Sequence, residues 1–236
     1  MSDPESSSRS DSASRSENGE RETHSRSYSD SPRDSAQEFI KQAGEISTEI
    51  SPDLLFKHPL EHTWSFWYYE NNKGKSWEEN QKEVTCFSTV EDFWCLYDHI
   101  KLATDVIPGS DYSIFKKGIR PMWEDKMNEK GGRWIIKLDR PRAGDLNEMW
   151  LDVIMLMIGE RFHENEDEIC GAILNVRARC DKISVWTSNI KKKKNIMQIG
   201  RKLKDCLNYT KDLKLHYESH ESVEKKTTKN RYLYTL

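Results

Sequence analysis

Asn175-Val176-Arg177-Ala178-Arg179-Cys180-Asp181-Lys182-Ile183-Ser184-Val185-Trp186 is the stretch on which the fold turns. Residue character alternates on both sides of Cys180-Asp181, and a period of two belongs to strands. A tight two-residue turn at Cys180-Asp181 predicts a β-hairpin in which 179 opposes 182, 177 opposes 184 and 175 opposes 186. Asn175, Arg177, Arg179, Lys182, Ser184 and Trp186 then share one face, and Val176, Ala178, Ile183 and Val185 share the other. The second face is core. The first sets cations beside a Trp, a composition suited to holding phosphates next to a flat ring, and it also fits a solvated strand face with scattered charge.

Similar short aromatic or β-branched runs extend outward from this hairpin: Thr63 to Tyr69, Glu83 to Phe87, Arg133 to Leu138, Cys170 to Arg179, Lys182 to Thr187 and Leu213 to Tyr217. They alternate with three longer helical patterns, which predicts an antiparallel sheet with helices on one side, an α+β fold. The first helix begins at Ser88 with Glu91 in the capping-box position, and ends before Pro108-Gly109. The second begins at Asp145 and carries apolar residues on two faces, where a surface helix needs one. The third, about Lys191 to Leu207, turns Ile196, Ile199, Leu203 and Leu207 inward and its lysines outward.

The chain has 236 residues with 37 Lys+Arg and 40 Asp+Glu. Residues 1–36 hold thirteen Ser, eight acids, five Arg and one aromatic, Tyr28, too little apolar surface to offset the entropy of ordering. The division expected is a disordered tail over 1–50 and a folded domain over 51–236. Beyond residue 36 there remain 32 bases and 32 acids, a neutral body that argues against a general polyanion binder. No run approaches a membrane span and the start lacks the regions of a signal peptide. Five cysteines without a Cys-x-x-Cys pair argue against disulfides and zinc. A reducing compartment follows, the cytoplasm with the nucleus as a second location, where the sequon Asn208-Tyr209-Thr210 would go unread.

Eight Trp lie in the body. Trp64, Trp67, Trp134 and Trp150 stand among apolar neighbours and are expected in the core. Trp77 follows the polar loop Asn71-Asn72-Lys73-Gly74-Lys75-Ser76, and Trp123 precedes Glu124-Asp125-Lys126. Exposed loop Trp residues of this kind often have a ligand to cover them.

Several motifs, in order and at matching spacing, carry a resemblance. They are His58-Pro59-Leu60, Trp64-Ser65-Phe66-Trp67, Thr89-Val90-Glu91-Asp92-Phe93-Trp94, Pro121-Met122-Trp123-Glu124-Asp125, Gly131-Gly132-Arg133-Trp134 and Asn175-Val176-Arg177-Ala178. From about Phe56 to Arg231 the chain resembles the mRNA cap-binding translation initiation factor 4E family. The resemblance implies a curved antiparallel sheet of about eight strands, three helices on its convex face, and 7-methylguanosine triphosphate in the concave mouth. It implies that Trp77 and Trp123 sandwich the methylated base, which is cationic and so gains cation–π attraction. Glu124 would accept from the guanine N1 and N2 donors. Arg177 and Lys182 would hold the phosphates with Arg133 assisting, and Trp186 would lie against the methyl group. Binding of capped mRNA without a cofactor, metal or catalytic residue is the implied activity; no phosphate-binding loop, dinucleotide fingerprint or zinc-protease motif argues otherwise.

The second apolar face of the second helix then has a use. Leu151, Asp152 and Met155, with Val90, Trp94 and His58-Pro59-Leu60, match the family's docking surface for a helix carrying Tyr, four residues, Leu and a further apolar residue. The scaffold factor 4G and the repressor 4E-binding proteins share that motif, so recruitment to initiation and repression are both open. Lys226 stands where many members have a regulatory Ser, with Thr227 and Thr228 beside it, and Cys180 replaces the usual turn Gly. The basic run Lys191 to Lys194 reads as a solvated helix start, and the tail, with Arg-Ser pairs and Ser31-Pro32, as a phosphorylatable arm.

Overall fold

Alternation along Trp64-Ser65-Phe66 sends Trp64 and Phe66 into the core, while Ser65 lies with Trp67 on the opposite side. The same alternation runs through a single antiparallel sheet. The computed structural model describes residues 56–139, 143–207, 213–224 and 232–236. The expected tail, the Asn208 sequon and residues 226–228 lie outside the described residues.

In chain order the elements are β1 (Pro59–Tyr69), α1 (Trp77–Asn80), β2 (Gln81–Thr89), α2 (Val90–His99), β3 (Asp111–Lys116), β4 (Gly132–Asp139), α3 (Ala143–Ile158), β5 (Ile169–Asn175), β6 (Cys180–Thr187), α4 (Lys193–Cys206), β7 (Leu215–Ser219), α5 (His220–Glu224) and β8 (Tyr234–Thr235). Short 3₁₀ turns occupy Ala103–Asp105 and His163–Glu168. The sheet runs β2-β1-β3-β5-β6-β4-β7-β8, and all neighbours are antiparallel. Irregular register between β1 and β2, and again between β5 and β6, bends strands locally, as bulges do.

The three long helices cover one face. Phe93 of α2, Met149, Trp150, Val153, Ile154 and Met157 of α3, and Ile196, Ile199 and Leu203 of α4 join one core with Trp64, Phe66, Ile114, Trp134, Ile136, Leu174, Ile183 and Val185 from the sheet. The helix ends differ in detail from the expectation. Thr89, not Ser88, caps α2, its hydroxyl accepting from Asp92 N at 3.2 Å. Glu91, freed from the box, accepts instead from His58 N at 2.8 Å and contacts His58 Nδ1 at 2.6 Å. α3 starts two residues early and α4 two residues late.

The hairpin is corrected. β5 ends at Asn175, and Asn175 opposes Lys182, Ile173 opposes Ser184 and Gly171 opposes Trp186. Residues 176–181 therefore connect the paired positions, in place of a two-residue turn, and Asp181 Oδ1 closes the connection by accepting from Arg177 N at 2.7 Å. The register moves by four residues, an even number, so Lys182, Ser184 and Trp186 keep the predicted face while Arg177 and Arg179 leave the sheet. Trp67 is a second correction: it pairs with Ser113 on the open face and is only partly buried.

Candidate functional site: a tryptophan-walled cavity on the open face

Two loops deliver the exposed indoles. In the first, Asn72 Oδ1 accepts from Gly74 N at 2.9 Å and Asn80 Nδ2 donates to Asn72 O at 2.9 Å. Ser76 then makes a complete capping box with Glu79, which fixes Trp77 as the first residue of α1. Those bonds hold the Glu79 carboxyl below its usual range. Trp77 keeps 45% of its surface exposed and tilts against Tyr69, ring centroids 6.2 Å apart.

The second loop is built on Asp125 and Asn128. Asp125 accepts from Arg120 N at 3.0 Å and Met127 N at 2.9 Å, and the buried Asn128 donates to the carbonyls of Arg120 and Met122. Trp123, 38% exposed, and Glu124 project from this pinned frame. The loop re-enters the sheet through Gly131, where a Cβ would lie 1.9 Å from the Thr187 carbonyl oxygen; only glycine permits that approach.

Strands supply the floor. Arg133 of β4 opposes Trp186 of β6 on one side and Glu218 of β7 on the other. Its Nε and Nη2 donate to Glu218 Oε1 at 3.0 and 2.7 Å, and its guanidinium lies 5.7 Å from the Trp186 ring centroid. Glu218 is fully buried, a cost that the charge-assisted pair offsets. Trp186 is buried between Phe115, edge-on at 5.5 Å, and His220, whose ring lies 4.1 Å away. Burial, and then the Arg133 charge, push the His220 imidazole down to about 3, so it is neutral at physiological pH.

Trp77, Trp123, Glu124, Arg133 and Trp186 line a single cavity of about 410 Å³, with Glu78, Asp111, Pro121, Met122, Ile173 and Asn175. Five of the seven expected site residues thus meet there. Arg177 and Lys182 are outside that lining but touch its rim. Arg177 Nη1 donates to Asp111 Oδ1 at 2.5 Å and Nη2 to Oδ2 at 3.3 Å, and Lys182 opposes the lining residue Asn175. Burial pushes the Asp111 carboxyl above its usual range, while Arg177 pulls it back. The sequence reading missed Asp111, Glu218 and His220. Only the alternation Tyr112-Ser113-Ile114 could have shown that Asp111 opens a strand.

On the helix-covered side, Val90, Trp94 and Met155 keep 38%, 37% and 39% of their surface exposed. Leu60 and Leu151 are partly buried against the core, His58 and Pro59 are exposed, and Asp152 is half-buried with its carboxyl raised by burial and by Glu148. Among the described residues no helix is long and apolar enough to cross a membrane, and no three His, Cys, Asp or Glu gather as metal ligands.

The sequence profile of eukaryotic initiation factor 4E matches residues 59–233. Eukaryotic translation initiation factor 4E1 of Drosophila melanogaster is 44% identical over 214 residues, covering 87% of this chain and 82% of the relative. The human eukaryotic translation initiation factor 4E is 43% identical, with 80% and 89% covered. Among solved structures, Ascaris suum eIF4E-3 in complex with m2,2,7G cap superimposes with a TM-score of 0.69 at 45% identity, covering 70% of this chain and 92% of that one. C. elegans eIF4E-3 with the 4E-binding protein Mextli and cap analog gives 0.71 at 40%, covering 77% and 100%. A profile matched over most of the domain, and relatives above 40% identity across most of both chains, place this chain in the eukaryotic initiation factor 4E family.

Proposed function

We propose that this chain binds the 7-methylguanosine cap of mRNA and presents the message to the initiation machinery. The observation that carries the reading is the meeting of two exposed loop indoles, Trp77 and Trp123, with Glu124 in one cavity. A methylated, cationic guanine between two indoles gains stacking of roughly 1 to 3 kcal/mol and a cation–π term that unmethylated guanine lacks. Glu124 selects guanine through its N1 and N2 donors, which adenine does not present together. Trp186 on the floor meets the methyl group, and Arg133, Arg177 and Lys182 receive the phosphates. In this reading the site works by binding: its lining of indoles, carboxylates and a guanidinium offers stacking and charge to a ligand.

Titration of tryptophan fluorescence with 7-methyl-GTP and with GTP tests this. The expected result is strong preference for the methylated ligand, and equal affinities overturn the assignment. The exposed Val90, Trp94 and Met155, with His58, Pro59, Leu60, Leu151 and Asp152, form the docking surface for the 4G scaffold. The solved C. elegans relative carries a 4E-binding protein, which supports a repressor assembly as the second reading. Identification of the partner that co-purifies with the endogenous cytoplasmic protein separates the two.

A further inference from the structure

Beyond Arg133 and Trp186, the open face continues along the same strands into a cationic, aromatic stretch that the cavity does not use. Lys137 lies four residues along β4 from Arg133, about 13 Å at the rise of a strand, and opposes Lys182 of β6. His216 of β7 opposes Ile135, and alternation puts it on the same side as Arg133 and Lys137. Its ring stacks on Tyr232, centroids 4.3 Å apart and planes within 16°. Lys137 Nζ donates to the Tyr232 hydroxyl at 2.9 Å and sits 5.5 Å from the ring centroid, and Thr235 Oγ1 is 3.1 Å from His216 Nδ1. Lys137 and Lys214 are exposed.

Burial and then the charges of Lys137 and Lys214 hold the His216 imidazole below its usual range, so at neutral pH it is an uncharged flat ring among cations. Glu218, the acid of β7 on this side, is buried and taken up by Arg133.

We infer that this stretch is a track for the RNA that follows the cap, with Lys137 and Lys214 on its phosphates and the His216–Tyr232 pair as a platform for an unstacked base. Single-stranded RNA is held by this combination of cations along the backbone and aromatic faces for the bases. Continuity decides for RNA over an acidic peptide. The stretch begins beside Arg133 and Lys182, where the cap's phosphates are placed, and it lies within reach of the next nucleotides. The inference rests on the cap reading above and adds the sugar–phosphate chain to the ligand.

The test titrates the full chain with 7-methyl-GTP and with a short capped single-stranded oligoribonucleotide, across a range of salt. Wild type should bind the capped RNA more tightly and with a steeper salt dependence. Lys137→Ala/Lys214→Ala should weaken capped RNA about tenfold at low salt and reduce the slope of log affinity against log salt by about 1.4, two contacts' worth for a single strand. Binding of 7-methyl-GTP by the same preparation should be unchanged, which also shows that the variant is folded. Lys137→Arg/Lys214→Arg should retain wild-type affinity for the capped RNA. If 7-methyl-GTP binds but wild type and the alanine variant hold capped RNA equally, the track is refuted and the cap reading stands. If wild type does not bind 7-methyl-GTP, the cap reading falls and takes the track with it.

Discussion

Arg177 and Asp111 face each other across the rim of the cavity, joined by two guanidinium–carboxylate contacts of 2.5 and 3.3 Å. The cation assigned to phosphate is thus already partnered by a carboxylate that lines the cavity, and a triphosphate must compete with it. Arg177 also donates to Val176 O at 2.8 Å and Ser110 O at 3.3 Å, which keeps it in place when the carboxylate is neutralised.

Asp111→Asn should therefore raise affinity for 7-methyl-GTP several-fold at low salt, with a smaller gain for 7-methyl-GMP, because one negative charge beside the phosphates is removed. Paired titrations of the two nucleotides check this; an equal gain for both would place Asp111 near the base and away from the phosphates.

Glu124 makes a second expectation concrete. Dimethylation of guanine N2 removes both N2 donors and leaves N1–H, so one charge-assisted hydrogen bond of roughly 1.5 to 3 kcal/mol is lost. The m2,2,7G form of the cap should bind about tenfold or more weakly than the 7-methyl form. Glu124→Ala should abolish the difference while lowering both affinities, as fluorescence titrations of wild type and variant can show.

Trp94 leans on Phe93 and meets Tyr97 edge-on at 5.9 Å, yet more than a third of it is exposed. Trp94→Ala should cost well short of the roughly 3 to 5 kcal/mol of a buried Trp. Binding of 7-methyl-GTP should persist, while capture of a peptide carrying Tyr-x-x-x-x-Leu is lost. Thermal unfolding and both affinities, measured on one preparation, decide whether this side chain anchors a partner or only packs.

His220 gives the fold a pH dependence with a definite sign. Its imidazole titrates near 6.5 when exposed and about 3 in the folded protein, so between those values the unfolded chain binds more protons. Folding stability should fall as pH drops from about 6.5 toward 3, and the contribution is fully present only above 6.5. His220→Gln should flatten that decline in denaturant titrations; an unchanged slope would mean that the decline comes from the carboxylates alone.

Much of this site was legible because strand faces repeat every two residues. Moving the β5–β6 register by an even number left Lys182, Ser184 and Trp186 where alternation had put them, although the turn itself was misread. The length of the connection was hidden because a local side-chain bond, Arg177 N donating to Asp181 Oδ1, closes it in place of a tight-turn ladder pair. β3 was missed for a related reason. Phe115 points to the open face yet is fully buried under Trp186, so the apolar pattern runs on both faces and its period blurs. The loop tryptophans stood out by the opposite route, as apolar residues in polar surroundings, and the capping box at Ser76 supplied the order that such a loop requires.

The 176–181 connection carries a consequence for how binding can change over generations or by design. In the proposed reading the groups for the base sit on parts that the core and pinned loops hold, Trp186 on a strand and Trp77 and Glu124 on capped or clamped turns. Two of the three residues for phosphate, Arg133 and Lys182, sit on strands as well. Arg177, the third, rides on the connection that lies outside the β5–β6 ladder and is held there by the bonds to Asp181 and Asp111. Insertions, deletions or exchanges there can retune the preference for mono-, di- or triphosphate while leaving base discrimination untouched. One of the three proposed phosphate contacts can thus be rewritten without disturbing the strands that carry the other two and the floor of the cavity.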